Sequence, residues 1–92
     1  MGDKMQSRSE VENVVRGVLR DVLGISQARI DRFDSDTELF GALPELDSMA
    51  VAGLLTELED RLGIMIDDDD VDGDMLATLG ALTDFAIAKV DA

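Results

Sequence analysis

The dipeptide Asp47-Ser48 stands immediately before a long, periodically apolar segment, where a serine hydroxyl can be put to chemical use. In the first turn of a helix, a hydroxyl lies near unpaired backbone N–H groups and the positive end of the helix dipole. A phosphodiester attached there is stabilised electrostatically. Ser48 is therefore a candidate attachment point for a phosphate-linked group. The same dipeptide is also typical of a simple N-cap, and this alternative stays open on the local sequence.

A second candidate is the acidic segment Asp67–Asp74. Its spacing matches positions 1, 3, 5 and 6 of an EF-hand calcium loop, which are occupied by Asp68, Asp70, Asp72 and Gly73. At position 12, however, Leu79 stands where the loop needs a bidentate glutamate. The pattern therefore favours a solvated acidic run or diffuse cation binding over a specific metal site.

The composition excludes several classes of catalyst. The chain has 92 residues with no His and no Cys. It therefore lacks the side chains of a Ser-His-Asp or Cys-His nucleophilic site, a thiolate zinc site or an imidazole metal site. We expect a protein that is not an enzyme.

The charge balance restricts the partners. The chain has 21 acidic and 8 basic residues, a formal net charge of −13. Such a surface repels nucleic acid and anionic membranes, so basic protein surfaces are the expected partners. The apolar runs are too short for a membrane span, and no signal-type segment follows the charged start. We expect a cytoplasmic monomer.

The first helix is predicted over Ser9–Leu23, where valines and leucines recur at helical spacing. Ser9 and Glu12 fit a capping box at its start. Gly24 follows its last periodic residue and tolerates the positive φ of a helix C-terminus. Burial of the apolar stripe must stabilise this helix, because its valines lower the intrinsic helix propensity.

Two further helices are predicted from the same kind of pattern. One spans Ser48–Leu62, with Asp47 or Ser48 as its cap and Gly63 at its end. The last begins at Thr78, a plausible cap.

The remaining segments connect these helices. Ile25–Asp47 is predicted as a long loop whose apolar residues pin it to the core, with a short helical turn near Asp36–Phe40. The acidic segment is expected to hold one short helical turn. The sequence thus predicts an all-α fold, a small bundle of three main helices plus one short helix. We expect a single domain over residues 1–92, in which residues 1–7 form a flexible tail.

Together these features resemble the acyl carrier protein family, and the resemblance covers nearly the whole chain. It is carried by the capped first helix and by Asp36-Thr37-Glu38-Leu39-Phe40, Asp47-Ser48-Met49, Gly63-Ile64-Met65-Ile66 and Thr78-Leu79-Gly80-Ala81-Leu82. The stretch Leu43–Val51 also looks like stand-alone bacterial carriers associated with exosortase and exopolysaccharide systems. Glu45, Ala50 and Gly53 depart from the family's usual pattern, which weakens the case for docking to ordinary fatty-acid synthase enzymes.

The resemblance implies a covalent 4′-phosphopantetheine arm on Ser48, flanked by Asp47 and Met49. A separate Mg²⁺-dependent transferase would move the arm from coenzyme A. The arm would hold acyl groups, or related amino or hydroxy acids, as thioesters in a pathway such as lipid or polyketide biosynthesis. The implied partners are this phosphopantetheinyl transferase, an acyl-loading ligase and acyl-processing enzymes with basic docking patches.

Two further sets of residues have expected roles. Acidic residues of the second long helix would dock those partners, namely Glu57, Glu59 and Asp60. Apolar residues that could line a pocket for the acyl chain are Leu58, Leu62, Ile66, Leu76 and Leu79. The alternative from another class is an acidic helical interaction module, able to bind divalent cations, in which Ser48 is only a helix cap.

Overall fold

The computed structural model describes residues 7–91. These residues form four α-helices and one 3₁₀ turn: α1 Arg8–Leu23, α2 Gln27–Asp31, α3 Ser48–Leu62, the 3₁₀ turn Asp68–Asp70 and α4 Leu79–Asp91. Their only recorded β-pairing is an isolated antiparallel bridge between Glu38 and Thr78. The prediction of an all-α bundle with three main helices and one short helix is confirmed. No helix in the described part of the chain is both long and apolar enough to cross a membrane.

Helix α1 is the centre of the bundle and packs against each of the other three α-helices. Its core-facing residues are fully buried: Val11, Val15, Val18 and Leu19. Burial of this stripe compensates for the low helix propensity of valine. The helix ends at Gly24, where φ is 70°, as predicted.

The start of α1 differs from the prediction, because the cap is Ser7 and not Ser9. Ser7 Oγ accepts from the Glu10 N–H at 3.2 Å, and the Glu10 carboxylate accepts from the Ser7 N–H at 2.9 Å. The sequence offers two overlapping Ser-x-x-Glu patterns, and the earlier one extends the helix to Arg8. Ser9 is exposed on the first turn. Of the tail expected over residues 1–7, residues 1–6 lie outside the described residues and Ser7 is this cap.

Helices α3 and α4 begin where the sequence predicts. Helix α3 buries Leu54, Leu58 and Leu62 and stops at Gly63, where φ is 65°. Before α4, Thr78 Oγ1 accepts from the Ala81 N–H at 3.0 Å. The short turn expected in the acidic segment is the 3₁₀ turn.

The connection between α1 and α3 contains α2, which the apolar pattern did not reveal. Helix α2 has five residues and buries only Ile30, too little to create a visible period. Ser26 caps it by accepting from the Arg29 N–H at 3.2 Å. From α1, Arg16 donates to the carbonyl oxygens of Ile30 and Phe33, each at 2.7 Å. The predicted pinning to the core is confirmed, since the connection buries Ile25, Ile30, Phe33, Leu39 and Leu46.

The helical turn expected near Asp36–Phe40 is wrong, because residues 35–40 pair with residues 76–80. We call this pairing the clasp. It consists of four backbone hydrogen bonds of 2.9 Å each: Leu39 N to Ala77 O, Phe40 N to Leu76 O, Leu79 N to Thr37 O and Gly80 N to Ser35 O. These bonds use backbone groups that a local helical turn would otherwise satisfy.

Gly80 permits the close approach of the two clasp segments. A Cβ at this position would lie 2.9 Å from the carbonyl oxygen of Ser35, which is a backbone atom. We expect Gly80→Ala to destabilise the protein by about 1–3 kcal/mol, although alanine is the better helix former. Gly73→Ala is the matched control, because a Cβ there meets nothing within 4 Å. Urea denaturation of both variants measures this, and equal stability of the two would contradict the clasp as described.

Candidate functional site

Ser48 is the first residue of α3, and its side chain is exposed. Asp47 is the N-cap, since its carboxylate accepts from the Ala50 N–H at 2.8 Å. Among residues 7–91, no group forms a hydrogen bond with the Ser48 hydroxyl. Its backbone N–H and that of Met49 also have no partner there. The alternative of Ser48 as the helix cap is therefore wrong, and the hydroxyl is free next to two unpaired N–H donors.

The end of the connection fixes where Ser48 lies. Two residues before the cap, Glu45 accepts from Arg29 of α2 at 2.6 Å. Leu46 is buried between this ion pair and the cap. The hydrogen bond from Arg29 lowers the pKa of Glu45, so the pair is ionised at neutral pH. The helix that the apolar pattern missed thus helps to place the candidate serine.

An open cleft of about 320 Å³ lies beside Ser48. Its walls come from the connection, from α3 and from the stretch between the 3₁₀ turn and α4. The residues that line it are Phe40, Ser48, Val51, Val71, Asp72, Gly73 and Leu76. Most of these side chains are apolar, so the cleft can shield an apolar group linked to the serine. The clasp places Phe40 and Leu76 on it, because the Phe40 N–H bonds to the Leu76 carbonyl.

The five residues expected to line an acyl pocket lie in different places. Only Leu76 lines this cleft. Leu58, Leu62 and Leu79 are buried in the core, and Ile66 is half-buried. The sequence analysis missed Phe40, Val51 and Val71. Val51 could have been found, because it lies three residues after Ser48 and therefore on the same side of the helix.

The three acidic residues expected to dock partners differ in whether their carboxylates are already bound within the protein. Glu57 accepts from Arg61 Nε at 3.0 Å. Glu59 accepts from the Ile66 N–H at 2.8 Å and so braces the chain after α3. Asp60 is exposed, and no partner among residues 7–91 binds its carboxylate. It is the acid of the three that is available to another molecule.

Arg61 is held between two helices. It donates to Glu57 of its own helix and to Asp21 of α1 at 2.9 Å. Hydrogen bonds from Arg20 and Arg61 lower the pKa of Asp21 to about 2. This network joins α1 to α3 and occupies Glu57, so it subtracts from the charge that α3 offers to a partner.

Met49 is highly exposed, with 84% of its surface accessible. It follows Ser48 directly but does not line the cleft. The first nine residues of α3, 48–56, carry no charged side chain. A partner that approaches Ser48 therefore meets an apolar thioether next to the hydroxyl.

Two carboxylates of the acidic segment, those of Asp70 and Asp72, are used internally. Asp70 Oδ2 accepts from Lys89 Nζ at 2.5 Å and from the Asp67 N–H at 2.9 Å. Asp72 Oδ1 accepts from the Met75 N–H at 2.9 Å. Within residues 7–91, no group of three or more His, Cys, Asp or Glu side chains is arranged to hold a metal ion.

A family model described as a phosphopantetheine attachment site matches residues 13–86. The chain belongs to the acyl carrier protein family. The solution NMR structure of a holo acyl carrier protein from Nitrosomonas europaea is similar to this one, with 36% sequence identity and a TM-score of 0.80. The match covers 90% of this chain and 98% of that one. A search of curated proteins gave no match.

The cofactor of this acyl carrier protein is a covalently attached 4′-phosphopantetheine. The residues at the start of α3 fit such a group. Ser48 offers a free hydroxyl, the N–H groups of Ser48 and Met49 are open to a phosphate, and the cleft offers an apolar surface. The start of α3 thus offers hydrogen-bond donors for the phosphate of the arm next to an apolar surface for its apolar part.

The assignment of the cap predicts which of two neighbouring variants loses stability. In the unmodified protein, Asp47→Ala should cost about 1 kcal/mol of unfolding free energy, because it removes the cap. Ser48→Ala should stay within about 0.5 kcal/mol of the parent, since its hydroxyl has no partner to lose. Urea titration followed by far-ultraviolet circular dichroism compares them. A larger loss in Ser48→Ala would mean that the serine is the cap after all.

Proposed function

We propose that Ser48 is the residue that carries the 4′-phosphopantetheine of this acyl carrier protein. The single observation that supports this most strongly is the free hydroxyl of Ser48 at the start of α3, which Asp47 makes possible by taking the cap role. The arm supplies a thiol that holds a carboxylic acid as a thioester. The chain itself contributes the attachment point, the neighbouring N–H donors and a surface for the cargo.

The other serines are less suited to this role. Ser7 and Ser26 cap α1 and α2 through their hydroxyl oxygens. Ser35 lies against Gly80 in the clasp. Ser9 is exposed on the first turn of α1, but it does not line the cleft. Ser48 combines an exposed hydroxyl, a helix N-terminus and an apolar cleft.

The proposed cargo is an acyl group or a related carboxylic acid, and its apolar part lies in the cleft beside Ser48. Phe40 and Val51 offer it side-chain surface that would otherwise face water, and the nearly buried Leu76 also lines the cleft. Leu58, Leu62 and Leu79 belong to the packed core near α3 and α4 and would contact the chain only if the helices moved apart. Ile66 is half-buried after α3 and does not line the cleft, so it is not part of the proposed cargo site.

The attachment is tested by mass. Purified protein incubated with coenzyme A, Mg²⁺ and a broad-specificity phosphopantetheinyl transferase should gain the mass of one phosphopantetheine. Ser48→Ala should gain nothing and keep its helical signal. Ser9→Ala, which alters another exposed serine in a first helical turn, should label like the parent.

Two results would sink this assignment: a label that persists in Ser48→Ala, or a parent protein that stays unmodified by several transferases. The acidic helical interaction module would then be the better account of the chain.

We further propose that partner enzymes, including the transferase and an acyl-loading ligase, approach through basic patches that face α3. Asp60 supplies the free charge, and Met49 supplies the apolar contact next to Ser48. Glu57 and Glu59 add to the negative field but are held by Arg61 and the Ile66 N–H. Charge at an interface acts mainly on the rate of encounter. The carrier would work as a monomer in the cytoplasm.

This docking mode predicts a charge-dependent rate of modification. Asp60→Lys should slow labelling by a basic-surfaced transferase at low salt, and the difference from the parent should shrink as salt rises. Asp91→Lys makes the same change of charge at the end of α4 and should slow labelling less. Initial rates at several salt concentrations measure this. Equal slowing by both variants would show that only net charge matters and that α3 is not the docking helix.

A further inference from the structure

One wall of the cleft has no regular secondary structure of its own. Val71, Asp72, Gly73 and Leu76 lie between the 3₁₀ turn and α4, and Asp72 and Gly73 are exposed. A segment without helix or strand hydrogen bonds depends on side-chain contacts and on its anchored ends to keep its position. The buried side chains of Met75 and Leu76 hold the second half of this wall in the core, so the position of residues 71–73 depends most on what anchors the residues before them.

The far end of the wall is anchored by the clasp, where Leu76 and Ala77 accept from the N–H groups of Phe40 and Leu39. The near end is anchored by Asp70, the residue immediately before Val71. Asp70 Oδ2 accepts from Lys89 Nζ of α4 at 2.5 Å and from the Asp67 N–H at 2.9 Å. One carboxylate oxygen thus closes the 3₁₀ turn and ties it to α4.

The ion pair of Asp70 and Lys89, which we call the latch, is better shielded than most ion pairs of the described residues. The side chains of Asp70 and Lys89 are 29% and 24% exposed, whereas those of Arg8 and Asp84 are 53% and 68% exposed. Lys89 Nζ also lies 6.0 Å from the centre of the Phe85 ring, which favours the cation. The hydrogen bond between Asp72 and Met75 N–H lies within the wall and shapes it without fixing it to a helix.

We propose that Asp70 and Lys89 are positioning residues that hold the cleft wall in place and so determine how well an acyl chain on Ser48 is shielded. This inference rests on the proposed function, because the shielded chain is the one that Ser48 carries. Loss of the latch leaves the wall held at its clasp end, where its side chains are buried, and frees residues 71–73. The wall can then move away from Val51 and Phe40, and an apolar chain in the cleft becomes exposed to water and to nucleophiles.

The latch can be tested with acyl groups of two lengths. A broad-specificity transferase moves acyl-phosphopantetheine from acetyl-coenzyme A or hexanoyl-coenzyme A to Ser48. Hydroxylamine then cleaves each thioester, and intact mass gives the two rates. The ratio of the hexanoyl rate to the acetyl rate reports shielding of the chain and cancels differences in reagent.

Lys89→Met keeps the apolar stem of the side chain but removes the charge. It should raise this ratio about threefold over the parent, the effect of losing a partly shielded ion pair. Lys89→Arg should restore the parent ratio, because it retains a cation at the same place. Arg8→Met removes the exposed ion pair between α1 and α4 and should leave the ratio unchanged.

A structural readout separates the latch from the proposed function. In the unmodified protein, the amide NMR signals of Val71 and Gly73 should shift in Lys89→Met while those of Val14 in α1 stay in place. Asp70→Asn also breaks the latch but keeps an acceptor for the Asp67 N–H. It provides the same test if Lys89→Met folds poorly, and it should give the same shifts and the same rise in the ratio.

Three results would overturn the inference. One is a parent-like ratio in folded Lys89→Met and Asp70→Asn, and another is an equal rise of the ratio in Arg8→Met. The third is a Ser48 that takes no acyl-phosphopantetheine, which would remove the proposed function as well. The NMR shifts alone then show whether the latch holds the wall.

Discussion

The clasp between residues 35–40 and 76–80 is the constraint on which the candidate site depends. A connection of more than twenty residues separates α1 from α3, and most of it has no helix to hold it. Four backbone hydrogen bonds tie its middle to the start of α4. They bury Leu39 and place Phe40 beside Leu76. The cleft next to Ser48 exists because two segments far apart in sequence share these bonds.

The three main helices could be predicted from the sequence because their apolar stripes have the period of a helix. The ends of two of these helices are marked by Gly24 and Gly63, which adopt a positive φ. The start of α4 is marked by the capping side chain of Thr78. Helix α2 could not be predicted from the apolar pattern, because a five-residue helix with one buried side chain has no measurable period. The signal that could have found it is Ser26, a serine followed by residues suited to a first turn.

The candidate site, like the fold, could be predicted from the sequence only in part. Ser48 could be proposed from the sequence as the attachment residue, since that proposal depends on local features and on a family motif. The sequence could not show that Asp47 is the cap and that the Ser48 hydroxyl is free, because either side chain can cap a helix. The cleft also could not be predicted from the sequence. Its walls meet through the clasp, which is a contact between segments about forty residues apart. Local pattern says nothing about such a contact.

Charge has two separate roles in this protein. Several of its 21 acidic residues take part in internal bonds: Asp21 and Glu57 to Arg61, Glu45 to Arg29, and Asp70 to Lys89. These bonds position elements, as the Arg29–Glu45 pair does just before the cap of α3. The carboxylates that have no cationic partner give the protein its negative field. The start of α3 is uncharged, so a partner drawn in by that field would, in the docking mode we propose, meet Met49 and the free hydroxyl of Ser48.

The most direct test of the account compares amide NMR spectra of the unmodified and the phosphopantetheine-bearing protein. The account predicts shifts concentrated around the attachment point and the cleft, at Ser48, Val51, Gly73 and Leu76, with α1 nearly unchanged at Val14. Shifts centred on Ser9 or another serine, or a spectrum unchanged at the start of α3, would contradict it.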